Sequence, residues 1–246
     1  MNLLQPFKTF GPVDSKYIRR DDLTIMLVAA PFLLGMASRW LFPLIFDAIG
    51  SLIGLPIQDY LSPIMGYALI LLMPLFSGMI IGLILLDQMD DQSIQGLQVS
   101  PVPMKAYISY RLMTPMLFSF IMTLIVYPLS GLQPIGFLSL VGSALLGMPF
   151  APIIALAFAT FAENKIQGLV LMKGSGGVLF LPIISYFIPP LWKYVFAFIP
   201  TYWPAQFYWW SLEQNPWRWL IWCLGMLVEI LLIRTLLQRW QKKIYA

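Results

Sequence analysis

Three aspartates, Asp87, Asp90 and Asp91, fall within one short polar stretch of an otherwise apolar chain. Carboxylates so spaced can hold Mg²⁺ on a diphosphate, because the metal is shared between one or two carboxylates and the substrate's own phosphates. A membrane prenyl or phosphatidyl transferase would use such a loop, with a second carboxylate cluster facing it. The candidate for that cluster is Glu163, alone beside Asn164 and Lys165. The stretch also reads as a solvated turn, or as a docking element for a partner protein. Lys173 stands beside Gly174, Gly176 and Gly177, a composition found in phosphate-binding loops. The nucleotide-binding pattern, G-x-x-x-x-G-K-[ST], puts the lysine after the glycines, whereas Lys173 precedes them. No ATP-hydrolysing site is therefore expected in this chain, and the glycines read as close helix packing or a break in a span. The chain has no histidine and one cysteine, Cys223. That excludes His-based zinc sites, Ser-His-Asp triads, Cys-His dyads and an internal disulfide. No catalytic, cofactor-binding or metal-ligating residue is assigned.

The elements that carry these residues follow from composition. Of 246 residues 59% are hydrophobic and 11% charged, and the mean hydropathy is +0.79. Soluble domains carry about a quarter charged residues. An all-α polytopic membrane protein is expected, with six spans over Leu23–Phe46, Pro63–Leu86, Tyr107–Leu129, Ile135–Phe161, Gly168–Phe187 and Trp217–Leu237. Each can cross roughly 30 Å of hydrocarbon at about 1.5 Å per residue. Helices are required because lipid offers backbone N–H and C=O groups no partner, and the period-2 alternation of a barrel is absent. Residues 1–22 are too polar, and the following apolar run too long, for a cleavable signal sequence.

Basic residues orient the spans. With both termini in the cytoplasm, the inner side carries Lys8, Lys16, Arg19, Arg20, Lys105, Arg111, Lys165, Lys173, Arg234, Arg239, Lys242 and Lys243, and the outer side only Arg39, Lys193 and Arg218. Charges within spans are costly, and Arg39 and Glu229 are the plausible internal ones. Arg39 lies near the outer interface, within snorkelling reach of headgroups. Glu229 is the deepest. A proton relay would need several such groups, and one glutamate does not make a relay.

Two connections stand out. In residues 87–106, Ile94 and Leu97 share one helical face, Asp90 and Asp91 suit a helix N-terminus, and Pro101 and Pro103 end the element. A short amphipathic helix over Asp91–Ser100 is expected on the cytoplasmic surface. Residues 188–216 hold five prolines among many Trp, Tyr and Phe. They read either as a flat aromatic anchor at headgroup level or as short re-entrant helices forming a lid.

The ordered set of these segments resembles ABC-2 type transporter permeases, the six-span membrane subunits of type-2 ABC exporters. The lead-in Asp14-Ser-Lys-Tyr-Ile-Arg-Arg-Asp21 is similar to the family's cytoplasmic approach to the first span. The loop from Leu86 to Pro101 is similar to the family's connection between spans two and three, which places an acidic residue, a Ser or Thr, a Leu and a Pro in order. Here these are Asp91, Ser93, Leu97 and Pro101. Members often carry glutamate early in this loop, where this chain has aspartate. Ala162-Glu-Asn-Lys-Ile-Gln-Gly-Leu169 and Pro200-Thr-Tyr-Trp-Pro204 resemble small drug-efflux permeases labelled fluoroquinolone exporters.

The resemblance covers nearly the whole chain and implies a single membrane domain, 1–246, in a bacterial-type cell membrane. Its partners would be two copies of a separate ATPase, which bind the ATP and Mg²⁺, and a second permease, identical or paralogous. Membrane lipids are also partners, and nucleic acid is not. The coupling contact to the ATPase would use Asp87, Asp90, Asp91, Ser93, Ile94, Gly96, Leu97 and Pro101. A substrate pathway along spans two and five would offer Met65, Tyr67, Met73, Phe76, Leu179 and Phe180. Met and aromatic surfaces adapt to varied apolar ligands, though the same residues also suit simple packing. The cargo would be hydrophobic or amphipathic, drug-like or lipid-like. A secondary transporter or channel working without an ATPase is the alternative.

Overall fold

The computed structural model describes residues 5–98 and 103–245, and all regular structure among them is helical. Twelve α-helices follow in order: α1 (Gln5–Ile18), α2 (Asp22–Ile53), α3 (Leu61–Asp90), α4 (Ser93–Gln98), α5 (Met104–Leu129), α6 (Phe137–Gly147), α7 (Phe150–Phe161), α8 (Lys165–Ser175), α9 (Leu181–Phe187), α10 (Pro190–Lys193), α11 (Tyr202–Leu212) and α12 (Arg218–Tyr245). Six stretches are long and apolar enough to cross a membrane: Asp22–Ile53, Ile57–Asp90, Met104–Leu129, Phe137–Phe161, Lys165–Phe187 and Arg218–Lys243.

Local chemistry sets several boundaries. Asp21 caps α2, accepting from Thr24 N at 2.9 Å, and Gly54 ends it with φ 68°, a left-handed conformation that needs no Cβ. Asn164 caps α8 by accepting from Gln167 N at 3.0 Å. The fourth span is broken at Met148–Pro149, where Pro149 has no backbone N–H to continue the helical ladder. The fifth is broken by a 3₁₀ turn over Gly176–Leu179, at the glycine cluster.

The second span is the centre of the bundle. Its α3 is buried along most of its length and packs most extensively on α7 and then on α5. The α3–α7 approach is close enough that a Cβ on Gly78 would collide with the carbonyl of Ala151. Tyr67, Ile70, Leu71, Leu75, Phe150, Ile154 and Phe158 form the main core. The first, third, fifth and sixth spans present much of their surface outward.

Three expectations change. The first and last spans are longer than expected, reaching Ile53 and Tyr245. The second runs on through Asp87 to Asp90, so those aspartates belong to a long helix, and the surface helix starts at Ser93 rather than Asp91 and is described as far as Gln98. The flat aromatic anchor is wrong for residues 202–211. Tyr202, Trp203, Phe207, Tyr208 and Trp209 are buried, and α11 packs against α12, α3 and α6. Trp209 Nε1 donates to Pro63 O at 2.9 Å and Tyr208 Oη to Ser62 O at 2.9 Å, which satisfies their polar atoms inside the protein. Only the preceding turns leave aromatics outside, at Trp192, Tyr194 and Phe198.

Candidate functional site

An apolar cavity of about 410 Å³ opens between α2, α3 and the broken fifth span. Leu34, Ser38 and Phe42 come from α2; Met65, Tyr67, Leu72 and Phe76 come from α3; Gly176, Leu179, Phe180 and Ile183 come from the break and α9. The two hydroxyls in this wall are already engaged. Tyr67 Oη donates to Leu179 O at 3.0 Å, and Ser38 Oγ donates to Leu34 O at 2.8 Å. The lining thus offers contact but no free charge, and its size lies in the range that holds small organic ligands. Met65, Tyr67, Phe76, Leu179 and Phe180 of the expected pathway line this one cavity. Met73 does not: it is buried on another side of α3, in a cluster with Leu69, Val126 and Leu132.

The expected coupling residues gather at the end of the bundle where both termini lie. Lys165 Nζ donates to Asp87 Oδ2 at 2.9 Å and to Tyr17 Oη at 3.2 Å, and Tyr17 Oη donates to the same Asp87 oxygen. The backbone N–H of Lys165 donates to Asp90 Oδ2 at 3.1 Å. Asp90 therefore serves a helix N-terminus, as its charge suggested, but that of α8 rather than α4. Ile94 is buried beside Tyr107 and Trp240, while Asp91, Ser93 and Gly96 are exposed. Leu97 belongs to α4 but its side chain lies outside the described part, and Pro101 lies outside the described residues. The three aspartates do not converge on a metal: Asp87 is neutralised by Lys165, and Asp90 is taken up by α8.

Electrostatics follow this geometry. Burial first, and then the hydrogen bond to Asp87, push the Tyr17 hydroxyl up to about 12. The Asp21 carboxyl is held below its usual value, first by its hydrogen bond from the Thr24 side chain.

Sequence reading missed a buried ion pair that docks α1. Arg111 Nη1 meets Asp14 Oδ2 at 2.7 Å, and Tyr110 Oη donates to that oxygen at 2.7 Å. The guanidinium also lies 5.3 Å and 5.4 Å from the ring centroids of Tyr107 and Tyr110. A signal existed: Arg111 sits two turns into α5 on an aromatic stripe, and Asp14 stands within an otherwise basic segment. Lys243 was read only as an interface charge. Its Nζ donates to Ala162 O at 2.6 Å and Ala159 O at 3.1 Å, closing the C-terminus of α7. At the opposite end, the Arg39 stem packs on Gly131, in the turn between α5 and α6. Glu229 is fully buried on α12, and neither carboxyl oxygen has a hydrogen-bond partner among the described residues.

Residues 14–237 match the model of the family described as "Fluoroquinolones export permease protein Rv2686c-like". The chain belongs to that family. Among its curated relatives are the fluoroquinolones export permease proteins Rv2686c and MT2760, from the H37Rv and CDC 1551 strains of Mycobacterium tuberculosis. Each is 28% identical over 236 residues, covering 95% of this chain and 93% of the relative. No solved structure matches the chain. The family bears out the resemblance to small drug-efflux permeases. It makes the chain a multi-pass membrane permease, a transport component rather than an enzyme.

Proposed function

We propose that this permease is the membrane half of an ATP-binding-cassette exporter that moves apolar or amphipathic drug-like compounds out of the cell. Two copies of a separate ATPase bind ATP and Mg²⁺ and supply the energy. A second permease completes the assembly, and both termini face the cytoplasm. The observation that carries the reading is the cavity between α2, α3 and the fifth span, apolar throughout and of ligand size. It lies along the same α3 whose far end holds Asp87 and Asp90.

In this reading the exposed face of α4, with Ser93 and Gly96, and Asp91 just before it, meet the ATPase. Ile94 anchors the same helix to the bundle. ATP-driven closure of the ATPase pair displaces α4 and, through the Asp87–Lys165 and Asp90–α8 contacts, the base of the fifth span. The cavity wall contributed by Gly176, Leu179 and Phe180 then shifts, exchanging inward and outward access. The names of the relatives make a fluoroquinolone the first cargo to test.

The test is isolation of the tagged permease from native membranes, followed by transport in vesicles. Co-isolation of a nucleotide-binding ATPase and ATP-dependent extrusion of a fluoroquinolone support the reading. Extrusion by the permease alone, driven by a proton gradient, overturns it. The buried, unpartnered Glu229 favours that second reading, in which it carries the proton. Loss of gradient-driven transport in Glu229→Gln would then be expected.

A further inference from the structure

A second cleft, of about 430 Å³, lies between the end of α1 and the start of α8, lined by Val13, Lys16, Tyr17, Arg20, Asp21 and Lys165. We propose that it binds the phosphate of an anionic phospholipid headgroup. The cations left over after internal pairing point to this ligand. Asp21 takes both Thr24 donors, N and Oγ1, on its Oδ2, so three cations face the carboxylates of Asp21 and Asp87. Asp87, behind the cleft, is committed to Tyr17 and Lys165. Lys16 and Arg20 are exposed and have no ion-pair partner among the described residues. Lys165 has placed two of its three N–H donors, on Asp87 and Tyr17, leaving one for a ligand. A lysine and an arginine flanking a third ammonium form a cradle for phosphate oxygens, with the arginine fork able to engage two at once.

The position of the cleft selects a lipid over a soluble anion. It sits where two spans begin, at Asp22 and at Lys165, which is the level at which headgroups meet hydrocarbon. Below it the same helices turn apolar and face outward, with Met26 and Ile166 strongly exposed, and Val13 is exposed in the cleft wall. A phosphate held by Lys16, Arg20 and Lys165 would have its acyl chains run along those faces. Basic pockets at the ends of spans are suited to anionic headgroups, each Lys or Arg contributing a factor of about five in affinity.

The full-length permease in detergent would be titrated with phosphatidylglycerol and with phosphatidylcholine, with bound lipid counted by native mass spectrometry. Phosphatidylglycerol should bind preferentially, and the double variant Lys16→Ala/Arg20→Ala should weaken it about thirty-fold. Lys105→Ala, an exposed cation at the same end, should leave it unchanged, and Lys16→Arg/Arg20→Lys should retain it. Millimolar inorganic phosphate should not displace the lipid. An unaltered unfolding midpoint in the double variant shows that the loss is one of binding. Equal affinity for the two lipids, or undiminished phosphatidylglycerol binding in the double variant, overturns the proposal. So does displacement by inorganic phosphate, which would make the cleft a free-anion site. Loss of ATPase capture with lipid binding intact also overturns it, making the surface a protein contact.

Discussion

Arg111→Met removes one partner of the ion pair that holds α1 to the bundle. The partners meet at 2.7 Å, with side chains almost wholly shielded from solvent. The net worth of such a pair is small, because burying both charges costs nearly what their attraction returns. Removing one partner differs, since Asp14 would be left in a buried site with only the Tyr110 hydroxyl beside it. That situation costs about 3–5 kcal/mol, and loss of the contacts to Tyr107 and Tyr110 adds about 0.5–2 kcal/mol. The cost is felt where the pair acts. Helix α1 can undock as a local event, so the natural readout is hydrogen exchange of the α1 amides. A 3–5 kcal/mol loss corresponds to roughly 10²–10⁴-fold faster exchange, capped once α1 is fully detached. The double variant Asp14→Leu/Arg111→Met leaves no orphaned charge and should recover most of the protection. Unchanged exchange in Arg111→Met, or a double variant no better than the single one, would refute the reasoning.

Three further expectations follow from the geometry. Ala68→Phe places a ring into the 410 Å³ cavity; cargo extrusion should fall while stability drops by less than the about 1–3 kcal/mol of overpacking a filled core, as vesicle transport and thermal unfolding would record. Tyr17, raised to about 12 from about 10, should add stability that is fully present below pH about 10 and lost as pH rises through about 12; tyrosinate absorbance of the protein minus that of Tyr17→Phe follows it, and Asp87→Asn should lower the midpoint. Gly78→Val would force a side chain onto Ala151 O and Ile154, 2.9 Å away, and should abolish folded yield, whereas Gly96→Ala meets nothing within 4 Å and should gain about 0.5–1 kcal/mol; reduced transport in a stable Gly96→Ala protein would mark that face as a contact.

The six spans were legible because a membrane imposes length and apolarity on each of them separately. Their interruptions were legible in part. The glycines at 174–177 left close packing and a break both open, and Pro149 in the fourth span resembled the prolines that α2, α3 and α5 carry without breaking. The aromatic run at 202–210 misled because Trp and Tyr suit headgroups and buried cores alike. What decides is whether a carbonyl such as Pro63 O or Ser62 O, over a hundred residues distant, can accept their protons. The Asp14–Arg111 and Asp87–Lys165 pairs escaped for the same reason. Each joins segments whose separation along the chain carries no pattern, and basic residues were read only as markers of side. Five of the pathway residues do meet at one cavity, because residues drawn from two neighbouring spans have few faces to share. Met73 failed that count, since spacing along α3 alone does not tell which side of a fully surrounded helix faces the ligand.

The burial of α3 bears on which part of the proposed exporter moves. A helix packed on α7, α5, α2, α11 and α8 at once cannot shift without disturbing contacts along its whole length. The fifth span is built differently. Its lower half is tied to α3 through Lys165, Asp87 and Asp90. Its middle is a 3₁₀ turn in which a Cβ on Gly176 or Gly177 would meet nothing within 4 Å, and the carbonyls of Val178 and Leu179 are held by Thr201 at 3.1 Å and Tyr67 at 3.0 Å. Two side-chain hydrogen bonds, each worth about 0.5–1.5 kcal/mol, are a weaker restraint than the interlocked surface of α3. In the proposed cycle, then, α3 is the fixed post, and the cavity opens or closes by bending the fifth span at Gly176–Leu179. Tyr67→Phe would release one latch without changing the lining's shape, and would alter transport more than it alters unfolding.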